Sequence, residues 1–467
     1  MKTPQALALG VKEVDVVVVG AGPTGSNAAR LLRQRGWSVL LLEEHPQVGL
    51  PVQCAGLVTP RTFDHTPFPI GDLWQNDLTG ARVIAPDGTA VEFDAGKPHA
   101  QAMDRARFDQ RMAEHAVAAG VELWTSAKAV GAVRDAMGVT VTVVQSAQRT
   151  PLARPPTTDS IDSTDSADPA PSLDSVPVVV PAGVPAERKT TVQVRARLLV
   201  GADGIRGSVA RWFGFPPVEE IVSCYEAELC KVNVPADKPH LIPMFAGHAQ
   251  APGFFSWIIP VGKDRARAGL AVAPGMGTEA AKAYYERMFR DPQSAPYLEK
   301  AEPTYLIVGG IPLGLRERLV DDRVMLVGDA AGMAKPTSGG GIYYGLVASE
   351  FLAPVADAGL RTDRLDRGSL LGYEGKVRRV LGRELRKGAR LRALYKRLRD
   401  EDFNRLARLL STPRARAVIE RVGDIDYPSK LVLPLAWAQP RLVPFFLKVM
   451  LRSGSHPASA AAEPLAH

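Results

Sequence analysis

From Val14 to Gly20 the chain reads VDVVVVG, a nearly unbroken apolar run closed by glycine. Such a run suits a strand buried on both faces, and a helix-period segment, SNAARLLRQRG, follows it before a second apolar run, SVLLLE, ends at Glu43. The order predicts a strand–helix–strand unit. Further on, GVTVTVVQ and TVQVRARLLVGADG alternate apolar and polar positions as half-buried strands do. Between them, residues 146–189 are rich in Pro, Ser, Thr, Asp and Ala and show no period, which predicts a disordered or loosely ordered insertion decorating a hairpin.

Two late segments carry a different pattern. In KVRRVLGRELRKGARLRALYKRLR, from Lys376 to Arg399, Val377, Val380, Leu381, Leu385, Leu391, Leu394, Tyr395 and Leu398 recur at helical spacing, predicting one amphipathic basic helix. Its leucine stripe suits packing on the domain, and its basic face suits an anionic membrane surface. The segment LVLPLAWAQPRLVPFFLKVMLR is apolar but interrupted by Pro434, Pro440, Arg441 and Pro444, so it is expected to lie on a membrane or roof an apolar pocket and not to span a bilayer.

The arginines explain the net charge of +7, and since no nucleic-acid motif accompanies them, no nucleic-acid partner is expected. The length of 467 residues suits subdomains sharing one fold and leaves room to bury a ligand. Cys54, Cys224 and Cys230 have neither metal-ligand spacing nor the number for a disulfide framework. With no signal peptide legible at the start, a cytoplasmic protein is expected, at most peripheral at the inner face of a membrane.

Glycine punctuation returns three times. The first set, Gly20, Gly22 and Gly25, opens a helix, and Glu43 stands twenty-three residues after Gly20. Glycines there permit a tight turn and let backbone N–H groups approach a pyrophosphate, while the acid accepts from ribose hydroxyls. The second set is Asp203-Gly204 at the end of ARLLVGADG. The third is Gly328-Asp329 at the end of VMLVGD, followed by Gly339, Gly340 and Gly341. Three glycine-acid strand ends exceed what one nicotinamide needs and suit a longer cofactor with a second ribityl chain and a ring.

These segments together resemble flavoproteins of the p-hydroxybenzoate hydroxylase type and, within them, the geranylgeranyl reductase family, over nearly the whole chain apart from the insertion and the last residues. The resemblance implies an α/β fold with a Rossmann-like FAD-binding domain, an inserted antiparallel substrate-binding sheet and a C-terminal helical region. The expected divisions are 12–60, 100–145, 190–220 and 305–360 for FAD, 61–99 and 221–304 for substrate, and 361–467 for the helices. It implies FAD contacts at Gly20, Gly22, Pro23, Gly25, Glu43, Glu44, Arg105, Val130, Asp203, Gly204, Gly328, Asp329, Gly339, Gly340, Gly341 and Ile342. Electrons would come from NAD(P)H or ferredoxin.

Two segments are similar to reductase signatures. GLPVQCAGLV resembles the family's Gly-x-Pro-x-x-Cys loop and makes Cys54 a candidate proton donor, with a small buried hydrophobe as the other reading. PGFFSWIIP resembles the PxxYxWxFP strand that lines the prenyl pocket, although Phe255 replaces the tyrosine and Ile259 the phenylalanine. It offers Phe254, Phe255, Trp257 and Ile258 as substrate walls. The Trp-x-Ile-Pro end is also similar to flavin-dependent halogenases, which carry a Gly-Glu-Ser loop where this chain has the proline-cysteine loop. The implied activity is saturation of carbon–carbon double bonds in a polyprenyl lipid, quinone or diphosphate. An aromatic monooxygenase and a non-catalytic prenyl-binding protein are the alternatives.

Overall fold

The computed structural model describes residues 11–146 and 189–452, so the expected insertion lies outside the described residues except for its two ends. The first apolar run forms the strand Lys12–Val19, whose Val16, Val17 and Val18 are fully buried. It pairs in parallel with Val39–Leu42 on one side and Lys189–Gly201 on the other, and the latter pairs in parallel with Val324–Leu326. Two helices, Pro23–Arg33 and Ile342–Thr362, are tied to each other where Asn27 Nδ2 donates to Ser349 Oγ at 2.7 Å inside the core. Ala29, Leu32, Tyr344, Val347 and Leu352 on these helices fill one cluster with the strand valines.

The alternating segments form the strands Val139–Ser146 and Lys189–Gly201, paired antiparallel down to the couple Ser146↔Lys189. The ends of the expected insertion therefore meet as the two sides of a hairpin.

A second sheet of seven strands stands apart from the first. Its order is Glu302–Leu313, Glu220–Cys230, Ala266–Val272, Phe255–Pro260, Leu241–Ala246, Gly80–Ile84 and Ala90–Asp94. One face packs Ala227, Leu229, Ile258 and Leu270 against Tyr284, Tyr285 and Met288 of the helix Ala281–Met288. The other face presents Val222, Cys224, Phe255, Trp257 and Ile259 toward Ala55 and Leu57 of the proline-cysteine loop. Glu302–Leu313 belongs to this sheet, so the sheet runs on across the division expected at 304 to Leu313.

The basic stretch departs from the single helix that its period predicts. It divides into Arg367–Val380 and Gly382–Tyr395, with the break at Leu381 just before a glycine. Val377, Leu381 and Leu385 join the main core, and Leu398 packs with Phe403, Phe445 and Val449. The leucine stripe thus faces inward. The proline-interrupted segment forms the helices Val432–Ala438 and Leu442–Leu451. Leu442, Phe445 and Val449 are buried, whereas Leu433, Trp437 and Leu451 are 74%, 87% and 82% exposed. No described helix is long and apolar enough to cross a membrane.

Candidate active site

The first glycine loop is shaped by close approach. Gly20 has φ +100°, and a Cβ there would stand 2.4 Å from the Ala202 carbonyl oxygen; one at Gly25 would stand 1.9 Å from the oxygen of Gly20. Around Gly22 nothing lies within 4 Å of where a Cβ would be, and Pro23 opens the helix Pro23–Arg33 beside it. The loop is packed on its protein side and open at the helix N-terminus, where an anion is favoured.

Glu43, at the end of the second strand, accepts from the Ala21 N–H at 3.2 Å and from the His45 N–H at 3.0 Å. His45 Nδ1 sits 2.7 Å from the same carboxylate, and that hydrogen bond raises the imidazole pKa. Glu43 is thereby fixed beside the glycine turn. Glu44 instead joins an outer ion-pair group with Arg206 at 2.9 Å and Lys128 at 3.3 Å. Val130 lies on the strand Ala127–Arg134, two residues after Lys128, and is 45% exposed.

The two later acids differ in role. Asp203 Oδ2 accepts from the Val209 N–H at 3.0 Å, securing the short helix Ser208–Trp212, and its buried Oδ1 has no partner among the described residues. Asp329 follows the strand Val324–Leu326 and takes no side-chain hydrogen bond from the described residues. Burial pushes its pKa up to about 6 against the opposing charge of Arg105. A Cβ at Gly341 would stand 2.7 Å from Asp329 Oδ1, so only glycine lets the carboxylate lie against the start of the helix Ile342–Thr362. Gly339 and Gly340 form the turn before it, through N–H and carbonyl bonds to Lys335 at 2.8 and 3.1 Å.

Arg105 begins the helix Arg105–Ala118, capped by Asp104, and grips Asp109 through Nε at 3.1 Å and Nη2 at 3.0 Å. Burial alone would lower the guanidinium pKa, but Asp109 and then Cys54 raise it. The structure thus brings Cys54 against Arg105, and Arg105 within electrostatic range of Asp329. The Val52 N–H in the same loop donates to Tyr305 Oη at 2.9 Å.

The open turn at Gly22, the unpartnered Oδ1 of Asp203 and the Asp329 carboxylate lying against Gly341 are features that a ribityl-diphosphate chain requires. The residues present fit FAD.

Facing this group is the inner side of the second sheet. Phe254 and Phe255 stack at 4.5 Å, and Phe255 meets Trp257 edge-on at 5.8 Å. Phe254 precedes the strand, is 2% exposed and is covered by Arg392, 5.0 Å from its ring. The expectation for Ile258 is corrected. Strand alternation turns it to the other face, where it packs among Ala268, Leu270 and Phe245. Period two places Phe255, Trp257 and Ile259 on one side together, a signal present in the sequence.

Sequence reasoning missed Glu226 and Arg267 altogether. Glu226 is 1% exposed on the inner face, and its Oε2 accepts from Trp257 Nε1 at 2.7 Å. Arg267 is 4% exposed and binds the Ala55 carbonyl at 2.8 Å, the Met103 carbonyl at 3.1 Å and Gln75 Oε1 at 2.7 Å. Arg267 thereby joins the second sheet to the proline-cysteine loop.

The second sheet is antiparallel except where Leu241–Ala246 pairs in parallel with Gly80–Ile84, which corrects the wholly antiparallel sheet expected. A glycine turn open at a helix N-terminus, set with buried acids against the apolar face of such a sheet, is the frame of a flavoprotein. The chain belongs to the FAD binding domain family, which it matches over residues 13–151 and 180–349. Among curated relatives, it is 29% identical over 411 residues to the digeranylgeranylglycerophospholipid reductase of Methanothrix thermoacetophila, covering 84% of this chain and 90% of the relative. Digeranylgeranylglycerophospholipid reductase 1 of Methanothermobacter thermautotrophicus is 28% identical over 431 residues, covering 90% and 96%. Among solved structures, a geranylgeranyl bacteriochlorophyll reductase-like protein from Thermoplasma acidophilum superposes with a TM-score of 0.75 at 21% identity, covering 94% of this chain and all of that one. The flavin-dependent brominase Bmp2 shares the fold more distantly, with a TM-score of 0.63 at 17% identity and coverage of 94% and 100%.

Proposed function

We propose that the chain is an FAD-dependent reductase that saturates carbon–carbon double bonds in the polyprenyl chains of a lipid. The observation that carries this reading is the placement of Phe255 and Trp257, with the buried carboxyl of Glu226, opposite the Arg105–Cys54–Asp329 group. The names of the curated relatives agree with it.

Bound reduced FAD supplies a hydride. In this reading the chain's own residues do the rest. The N-terminus of Pro23–Arg33 holds the pyrophosphate, Glu43 faces the ribose, and Asp329 accepts from a ribityl hydroxyl. Phe255, Trp257 and Ile259 supply apolar surface that excludes water and aligns an alkene. An isolated alkene accepts hydride poorly, so a proton must reach the other carbon in or before the same step, and the chain must provide its source. Cys54 and Glu226 both stand at this junction.

The partner in this reading is a prenylated lipid met at a membrane surface. Leu433, Trp437 and Leu451 project from the C-terminal helices, and Arg441 and Lys448 neighbour them in sequence. Such a face suits the boundary between headgroups and acyl chains.

Anaerobic mixing of the dithionite-reduced protein with a digeranylgeranyl glycerophospholipid tests the activity. Flavin reoxidation dependent on that lipid is expected. Reoxidation only by oxygen, with hydroxylation of an aromatic compound, would favour a monooxygenase and overturn the reading.

A further inference from the structure

Glu226, Gly269 and Trp257 lie in one row across three neighbouring strands of the second sheet, since Glu226 pairs with Gly269 and Gly269 with Trp257. The central member has no side chain. A Cβ at Gly269 would stand 2.7 Å from that of Glu226, so the gap lets the indole reach across and donate to Oε2. The other oxygen, Oε1, is buried and has no partner among the described residues. A carboxyl with one oxygen satisfied by a neutral donor and the other unspent has more use for a proton than for a charge.

The surroundings support this. Burial pushes the Glu226 pKa up to about 7; Trp257 and the charge of Arg267 pull the other way, and Glu228 on the same strand adds to the rise. Cys224, two residues earlier on the same face, has its thiol pushed up by burial, by Glu226 and by Cys54. From the helix behind the sheet, Tyr285 also lies within electrostatic range of Glu226. Arg267 Nη1 and Arg105 Cγ would stand 2.7 and 3.0 Å from a Cβ at Gly56, so the carboxyl's charged neighbour abuts the flavin-side arginine.

We propose that Glu226 is the proton donor to the alkene in the reduction described above, an assignment that rests on that reading. The electron pair and hydrogen of the hydride, from reduced FAD, form a C–H bond at one carbon. The O–H bond of Glu226 breaks, and its proton forms a C–H bond at the other carbon with the π electrons. The alkene is reduced by two electrons, FAD is left oxidised, and Glu226 is left as a carboxylate that regains a proton from water. Cys54 lies within electrostatic range of the Arg105 guanidinium, which favours a thiolate over a proton donor, whereas Oε1 of Glu226 is buried and unengaged among the described residues. Trp257 positions the carboxyl and does not itself react.

Glu226→Gln keeps the size and an acceptor for Trp257 while removing the acid. Lipid-driven reoxidation of the reduced flavin is expected to slow at least about 100-fold in this variant, with FAD content unchanged. In the wild-type protein that step is expected to decline as pH rises through about 7. A second readout needs no substrate. Infrared difference spectra of the oxidised, FAD-loaded protein across the same pH range are expected to show, in wild type and in Glu226→Asp, a protonated-carboxyl band titrating near 7 that is missing from Glu226→Gln, with any contribution of Asp329 common to all three. Wild-type reoxidation rates in Glu226→Gln, or a large loss in Cys54→Ser alone, would overturn the assignment and leave the reductase reading standing. Absence of the carboxyl band would also overturn it. A wild-type flavin that no prenyl lipid reoxidises, with the band present, would instead sink the reductase reading and the donor role with it.

Discussion

Lys335 Nζ stands 2.7 Å from Asp426 Oδ1, with only 8% and 1% of the two side chains exposed. The pair joins the glycine turn at Gly339 and Gly340 to a segment ninety-one residues later. The other oxygen of Asp426 accepts from Thr59 Oγ1 at 2.6 Å, and its carbonyl accepts from Tyr344 Oη at 2.7 Å. The carboxylate is satisfied by more than its ion-pair partner, since Arg61 Nε also stands 3.6 Å from Oδ2, and such added contacts help a buried ion pair offset the cost of desolvation.

Asp426→Asn leaves Lys335 buried without its counter-charge. The variant is expected to lose on the order of 3 kcal/mol of stability and to retain less FAD, because the turn at Gly339 and Gly340 hangs on Lys335. Denaturant melts and flavin content after gel filtration check this. Lys430→Ala, which removes a mostly exposed partner of Asp424, is the control and is expected to change little.

Asp329→Ala is expected to weaken FAD binding by roughly tenfold to a hundredfold, the range for losing a hydrogen bond to a charged group. Fluorescence titration of the apoprotein with FAD measures it. Unchanged affinity would move the ribityl acceptor elsewhere.

The Glu226 carboxyl sets a pH dependence of stability. Its pKa in the fold, about 7, lies above the ordinary glutamate value of 4.5, so folding takes up a proton between these values. The contribution is fully present below about 4.5 and is lost as pH rises through about 7. Glu226→Gln cannot ionise. Its stability relative to wild type is expected to grow across that window by on the order of 3 kcal/mol and then level off, as paired melts at a series of pH values would show.

Since Ser146 and Lys189 face each other as the last couple of a hairpin, replacing residues 147–188 with Asn-Gly is expected to preserve the fold and the flavin content. A large fall in melting temperature, or loss of the yellow colour, would show that the removed segment holds part of the domain.

What the sequence disclosed follows from the range of each interaction. The turn at Gly20 and Gly25, the acid Glu43 and the strand end before Asp329 are legible because backbone geometry demands particular residues at fixed spacings within one strand–helix unit. The placement of Ile258 was legible too, through the period-two alternation that sets it opposite Trp257. Glu226 was not. Its meaning depends on Gly269 lying across the sheet and on Trp257 lying beyond that, and strand register alone brings these together. Nor does a helical period show where a basic helix breaks, or that Arg392 turns inward to Glu220 at 2.8 Å while Arg386 and Arg390 stay outside. The partner of Lys335 is hidden for the same reason of sequence distance.

Mass spectrometry of a digeranylgeranyl glycerophospholipid, incubated without oxygen with the FAD-loaded protein and dithionite, tests the central claim most directly. The lipid is expected to gain one pair of hydrogens for each double bond reduced. In heavy water with dithionite, deuterium is expected at both carbons of each reduced bond, because the hydrogen on the reduced flavin and the proton on the donor both come from solvent. A lipid recovered unchanged, from protein whose flavin is bound and fully reduced, would contradict the reductase account.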